Sequence, residues 1–245
     1  MRLHEKWCDV TFGRIKDIAM RKVNPHPDYP PEKGRYVRGN DFSPVVVVII
    51  LNRDEDKIPS EIEDLVRTGV EAGAALSGTV QTPNIGIEKI ICNVVSNPNI
   101  RYAVLSGPES EGHLTGDALK ALFNNGVDKN SRIIGTKAKH PLLYNLPREF
   151  IERFLKQVSL VDLQFKGTPE MIKKAVWSCY QEKPVPFMEY ELFDPGAFPD
   201  EPLSGKITQR VTRPWAEPEN EKERDAVKKM HDMVEMLKKK RQSQQ

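Results

Sequence analysis

The sequence predicts an α/β fold, a Rossmann-like three-layer domain with a mostly parallel sheet, and three observations predict it. Val45 to Leu51 is apolar at every position and mostly β-branched, as expected of a parallel strand buried on both faces. Strand-like and helix-like segments then alternate along the chain, which places each helix in a right-handed crossover between parallel strands. Finally, the apolar segment Tyr102 to Ser106 runs into a glycine-punctuated loop and then into helical spacing from Asp117 to Phe123. That order puts the loop at the C-terminal edge of the sheet, where open α/β sheets bind ligands.

Taken in order, residues 1–43 form an extended lead-in, because Pro25, Pro27, Pro30, Pro31, Gly34 and Gly39 crowd its second half and exclude regular helix. The core, 44–183, starts with the Val45 to Leu51 strand. A helix from Ser60 to Leu76 follows, with Ser60 and Glu63 at capping-box spacing, and then a short segment Gly78 to Thr82. Next come a helix from Gly86 to Val95, the strand Tyr102 to Ser106 with its helix, a short strand Arg132 to Gly135, and a helix from Pro147 to Gln157. Ser159 to Leu163 is the last strand. The helix from Thr168 to Gln181 opens with Thr168 as N-cap and Pro169 in the first turn.

From 184 to 218, Pro184, Pro186, Pro195, Pro199, Pro202, Pro214 and Pro218 alternate with Phe187, Tyr190, Phe193, Phe198 and Trp215. This is the pattern of a Pro-rich strap anchored on the domain surface. Residues 219–245 read as a charged terminal helix in which Ala226, Val227, Met230, Met233, Val234 and Leu237 recur at steps of three and four. Acidic residues lead and basic residues close it, complementing the helix dipole.

Composition limits the function classes. A chain of 245 residues is long enough to bury a sizeable core. Thirty-seven Lys and Arg against thirty-five Asp and Glu give a net charge of +2, so no global field favours nucleic acid. The start of the chain carries Arg2, Glu5, Lys6, Asp9 and Lys16 and lacks the apolar core of a secretory signal. The run Val45 to Leu51 is far short of the roughly 20 residues a membrane-spanning helix needs. Cys8, Cys92 and Cys179 are odd in number and include no C-x-x-C pair, which argues against a disulfide framework and fits the reducing cytoplasm. Cys92 and Cys179 fall on inner helix faces, without a basic neighbour that would activate a thiol. His4, His26, His140 and His231 show no helical zinc-site spacing and read as surface residues. No G-x-S-x-G, P-loop or G-x-G-x-x-G occurs.

The chemistry concentrates in Gly107, Pro108, Glu109, Ser110, Glu111, Gly112, His113, Leu114, Thr115 and Gly116. A neutral imidazole in such a loop can ligate a metal or shuttle protons. Glu111 stands two residues before His113, where a carboxylate can accept the second ring N–H of a metal-bound histidine, and the glycines let backbone approach a large flat ligand. The form acidic-x-His-x-x-Gly resembles the cobalt-ligating motif of cobalamin proteins, with Glu for the usual Asp and without the downstream Gly-Gly of that signature. Thr79, Thr82, Asn84 and Gly86 fit two readings: a polar loop that hydrogen-bonds the amide or phosphate parts of a corrinoid, or a strand-to-helix turn with Asn84 as N-cap. Glu88 and Lys89 fit a solvated helix pair as well as ligand contacts. Gly135 and Thr136 form a second small-residue loop that can line the same crevice.

Three motifs in one order, Gly78 to Lys89 (GTVQTPNIGIEK), Ser96 to Arg101 (SNPNIR) and Gly107 to Gly116 (GPESEGHLTG), resemble the A subunit of tetrahydromethanopterin S-methyltransferase, over about Tyr36 to Leu163. The resemblance implies a cobamide cofactor with His113 as the cobalt ligand. It also implies a methyl carrier that works between a donor methyltransferase, which binds the tetrahydropterin, and an acceptor methyltransferase, with coenzyme M as the family's acceptor. Family members embedded in the sodium-pumping complex end in an apolar anchor, whereas Glu219 to Gln245 is too charged to insert. The expectation is therefore a soluble, cytoplasmic relative. Two other classes compete on the same residues: a cofactor-free scaffold that binds a partner through its C-terminal extension, and a small-molecule enzyme using Glu109, Glu111 and His113 as acid and base.

Overall fold

A computed structural model describes residues 21–52, 58–207 and 210–243. The expectations for His4 and Cys8 fall outside these residues. The strands are β1 (Tyr36–Arg38), β2 (Val45–Ile50), β3 (Leu76–Val80), β4 (Tyr102–Ser106), β5 (Ser159–Asp162), β6 (Val185–Phe187) and β7 (Tyr190–Leu192). The helices are α1 (Ser60–Glu71), α2 (Ile85–Val95), α3 (Thr115–Asn125), α4 (Arg148–Gln157), α5 (Pro169–Cys179) and α6 (Glu221–Gln242).

Five strands form one sheet in the order β1-β3-β2-β4-β5. All pairs are parallel except the β1 edge, which runs antiparallel to β3. Every residue of β2 is buried, because alternate side chains enter two different cores. Val46, Val48 and Ile50 meet Ile87 and Ile91 of α2, Leu119 and Leu122 of α3, and Phe150 and Phe154 of α4. On the opposite face Val45, Val47 and Ile49 meet Ile62 and Leu65 of α1 and Ile172, Ala175 and Val176 of α5. The result is the three-layer α/β arrangement the sequence predicts.

This topology creates one privileged crevice. The connection after β2 leads to β3 on one side of the sheet, and the connection after β4 leads to β5 on the other. The two loops diverge above adjacent strands, so the C-terminal ends of β2 and β4 flank the switch point at which doubly wound sheets bind ligands.

Several local expectations are corrected. The first helix ends at Glu71, not Leu76: Gly73 turns the chain at a φ of +109° and Leu76 begins β3. The capping box at Ser60 and Glu63 does not form, because Pro59 holds the N-cap position and no side chain caps the start. Arg132 to Gly135 is not a sheet strand; it makes only single bridges, Ile133 with Val127 and Arg132 with Leu142. The short edge strand β1 and the hairpin β6–β7 form inside the Pro-rich segments. Thr168 does cap its helix, accepting from Met171 N at 3.3 Å.

The C-terminal extension is stitched across α2 and α4. Leu203 N donates to Val95 O, and the Arg153 guanidinium to Asp200 O and Glu201 O. Ile207 N and Arg210 both donate to the buried carboxylate of Glu32. Asn145 links Val211 N to Glu88, whose carboxylate accepts from Asn145 N at 2.7 Å and Nδ2 at 2.9 Å. Glu88 is thus a buried tie and not half of a solvated pair. His140 stacks on Trp215 with centroids 3.9 Å apart, and His231 of α6 meets Tyr144. Among the described residues no helix is long and apolar enough to cross a membrane.

Candidate functional site

The loop joining β4 to α3 divides into a locked base and an open crest. At its start Gly107 adopts a φ of +95°, and a Cβ there would lie 2.7 Å from Ile50 O; only glycine lets this loop press against the end of β2. Glu109 comes next, and its carboxylate closes the base. Oε1 accepts from Ser110 N at 2.8 Å and Gly116 N at 2.9 Å; Oε2 accepts from Asp117 N at 2.9 Å and Gln164 Nε2 at 3.1 Å. A carboxylate on the first amides of α3 satisfies donors the helix itself cannot and complements its dipole. Glu109 therefore caps the first turn of α3.

A hydroxyl chain completes the base. Thr115 N donates to Ser110 Oγ at 3.0 Å, Ser110 Oγ to Thr115 Oγ1 at 2.8 Å, and Thr115 Oγ1 to Gln81 O at 2.5 Å. Ser110, Thr115 and Gly116 are buried. Gly116 has no room for a side chain, since a Cβ would lie 2.3 Å from Gln164 Nε2 and 2.6 Å from Ile50 Cδ1.

The crest is Glu111, Gly112 and His113, all exposed. The N–H groups of His113 and Leu114 both reach back to Ser110 O, at 3.1 and 2.8 Å. Leu114 takes the left-handed conformation (φ 53°) and turns its side chain onto the core. Gly112 has a φ of +77° and open space on all sides of its missing side chain. Glu111 N donates to Asn52 Oδ1 at 2.9 Å, bridging the crest to the loop after β2. His113 consequently stands out from the switch-point crevice. Among the described residues no hydrogen bond joins Glu111 to the imidazole, so the turn, and not that carboxylate, sets the ring's place. Pro108, between Gly107 and Glu109, is half-buried in the base.

The other anticipated residues divide into two groups. Thr136 reaches the same edge: its Oγ1 donates to Asp117 Oδ2 at 2.6 Å, and Lys137 N to the same oxygen at 2.7 Å. Gly135 turns that loop at a φ of +81°. Thr79, Thr82 and Gly86 instead line a cavity of about 240 Å³ between β3 and α2, with Tyr36, Lys89 and Gln81 also on its wall. His113 is not part of that cavity; Gln81, through its carbonyl, is where the two meet. Asn84 caps α2 by accepting from Ile85 N, and Thr82 Oγ1 accepts from Gly86 N at 3.0 Å. The turn reading of this loop is thus realised, whatever else it contacts.

Asn52, Gln81, Asp117 and Gln164 lie beyond the expectations. Asn52, Gln81 and Gln164 come from three different loops of the same sheet edge and Asp117 from the first turn of α3, and no spacing in the sequence announces them. Among the described residues no group of three His, Cys, Asp or Glu is placed to hold a metal ion. His113 is one donor, not a cage, and suits a metal that arrives with most of its ligands.

Against this geometry, residues 22–212 match the family of the A subunit of tetrahydromethanopterin S-methyltransferase. The chain belongs to that family. It is 40% identical to the second such A subunit, numbered 2, of Methanothermobacter thermautotrophicus over 183 residues, 74% of this chain and 88% of the relative. The A subunit numbered 1 of Methanothermobacter marburgensis is 39% identical over 191 residues, 78% of this chain and 71% of its own length. That of Methanopyrus kandleri is 38% identical over 198 residues, 80% and 72% of the two chains. The match reaches from the lead-in through the core into the strap, well past the segment on which the sequence resemblance rests.

Proposed function

We propose that this chain is a corrinoid-carrying methyltransferase subunit that receives a methyl group from a tetrahydropterin-linked donor and hands it to a thiol or other acceptor on a partner. The observation that carries the proposal is the exposed imidazole of His113 on an open, glycine-flanked crest above the switch-point crevice. A lone nitrogen donor with clear space around it suits a broad macrocycle that brings its own equatorial ligands. When bound, the corrinoid supplies a cobalt that takes up and gives up the methyl group.

The residues of the chain have the remaining work. His113 would hold the metal through a ring nitrogen, and the bonds from its own backbone N–H and that of Leu114 to Ser110 O fix where that ring is presented. Glu109, Ser110, Thr115 and Gln164 hold the base of the loop, so pull on the imidazole is resisted by α3 and β5 together. Asn52 tethers the crest through Glu111 N. Thr136 and Asp117, hydrogen-bonded to each other beside the start of α3, would offer polar contacts to the cofactor's periphery. Separate donor and acceptor subunits would complete the reaction; the relatives are named as A subunits of a methyltransferase, which supports further subunits as partners.

Reconstitution of the purified chain with hydroxocobalamin tests this. Tight binding with a histidine-ligated absorption spectrum is expected, and an EPR spectrum of the same ligation after one-electron reduction to the Co(II) form with added titanium(III) citrate; His113→Ala loses the histidine signature. No uptake by the wild-type chain, or an identical spectrum and affinity in the variant, refutes the proposal; the first result favours the scaffold alternative.

A further inference from the structure

Phe165, on the loop between β5 and α5, combines two features that do nothing for the fold. Its backbone has a φ of +64°, a region aromatic residues avoid because Cβ crowds the following carbonyl, and 71% of its surface is exposed. Yet the loop is held from every side. Phe165 N donates to Gly107 O at 3.0 Å, Lys166 N to Leu163 O at 3.0 Å, and Gln164 N to Asp162 Oδ1 at 2.9 Å. Gly167 lets the loop pass so near β4 that a Cβ there would lie 1.8 Å from Ser106 Oγ. An unfavourable conformation that persists because its surroundings dictate it is a mark of ligand clamps.

The placement says which ligand. Gly107, whose carbonyl binds Phe165 N, is the first residue of the loop that carries His113, and Gln164 binds the Glu109 carboxylate at the base of that loop. Ring and imidazole therefore ride on two loops stitched to each other at the C-terminal rim, one above β4 and the other above β5. We infer that Phe165 is an apolar wall of the corrinoid site, packing against the periphery of the macrocycle that His113 holds. This rests on the function proposed above. A corrin edge carries methyl groups and amide-bearing arms, and an exposed aromatic face buries apolar surface against it without requiring a directed bond.

The experiment uses the full chain, with and without hydroxocobalamin. Phe165→Gly accepts the left-handed backbone, so the apo variant is expected to melt no lower than wild type. Its affinity for hydroxocobalamin is expected to fall about tenfold, the loss corresponding to roughly 60 Å² of buried ring, while the spectrum at saturation still shows histidine ligation. Phe165→Leu, which keeps apolar bulk, loses less affinity. Unchanged affinity in Phe165→Gly with an intact histidine spectrum overturns the wall and leaves the His113 reading standing. A melting point several degrees lower in the apo variant also overturns it, by making the ring a structural residue. Weaker capture by partner methyltransferases at unchanged cofactor affinity makes Phe165 a protein contact and refutes the wall as well. Absence of binding by the wild-type chain removes the His113 reading and this one together.

Discussion

Glu109→Ala is the perturbation that most directly tests whether the loop base holds the site. In the wild-type chain the carboxylate accepts from the N–H groups of Gly116 and Asp117 at the start of α3 and from Gln164 Nε2. Two helix-start amides bonded to a charged acceptor contribute about 1 kcal/mol each net of water. The charge at the helix N-terminus adds roughly 0.5 kcal/mol. The Gln164 side chain already has one buried atom without a partner, Oε1, so losing the bond from Nε2 leaves its whole amide unsatisfied, for about another 1 kcal/mol. The sum is about 3.5 kcal/mol, which for a chain of this size corresponds to a melting-point drop of roughly 7–14 °C. Differential scanning calorimetry reads the total, and amide hydrogen exchange locates it, with faster exchange expected at Gly116 and Asp117. Glu109→Gln retains one acceptor oxygen but turns an amide N–H₂ toward a backbone donor, so it should lose about half as much. A Glu109→Ala melting point within 2 °C of wild type, with unchanged exchange at α3, would show that the cap is not what holds this loop.

Three further outcomes follow from other contacts. Gly116→Ala must push aside Gln164 Nε2 and Ile50 Cδ1 and should cost about 2–3 kcal/mol by overpacking, whereas Gly112→Ala meets no atom and should cost only the roughly 1 kcal/mol of its left-handed backbone; paired thermal melts check the order. Glu32→Gln weakens the buried acceptor for Ile207 N and Arg210, so tryptic cleavage at Lys206 and Arg210 should speed up about tenfold through local opening of the strap. All six tyrosines, Tyr29, Tyr36, Tyr102, Tyr144, Tyr180 and Tyr190, have phenols raised above the ordinary value, burial being the largest cause in each. Their folded values exceed the unfolded value of about 10, so their contribution is complete below about pH 10 and is lost as pH rises through the folded values. Melting temperatures from pH 8 to 12, followed with tyrosinate absorbance, should stay level to about pH 10 and then fall.

The parts legible in the sequence are those whose physics is local. Val45 to Ile50 and Tyr102 to Ser106 are apolar enough to be strands in any context, and both are central strands of the sheet. The His113 loop is legible for the same reason: a strand, a glycine-rich turn and a helix are consecutive, and their order alone places the imidazole at the sheet edge. Boundaries resist because neighbours compete for the same residues. Ala74, Ala75 and Leu76 continue the apolar spacing of α1, yet Gly73 reverses the chain and delivers them to β3. Arg132, Ile133 and Ile134 have strand composition but no sheet neighbour with which to pair, so they settle for single bridges. The supports of the site are illegible in a stronger sense. Asn52, Gln81 and Gln164 are ordinary polar residues at ordinary positions, and they converge on Glu111, Thr115 and Glu109 only because the strand order brings four loop ends to one rim. Glu88 shows the converse, a residue that looks solvated on a helical wheel and is buried because the strap passes over it.

The division between locked base and open crest bears on how such a site can cycle between ligand states. Below Ser110 every feature resists displacement: Gly107 and Gly116 have no space to shift, and Glu109 ties β4, α3 and the β5 loop into one body. Above Ser110, among the described residues, the crest is attached by the two N–H bonds to Ser110 O and a bond to Asn52. On the function proposed above, a change in what His113 binds would tilt the crest at the expense of few hydrogen bonds while α3 keeps its cap. Among the described residues, the crest's hydrogen bond to another loop is the one from Glu111 N to Asn52 Oδ1. A loop built rigid throughout would hold a ligand but report nothing. One loose throughout would not hold His113 above the crevice at all. The glycines and the Glu109 cap place the boundary between the two regimes at Ser110, three residues before the imidazole.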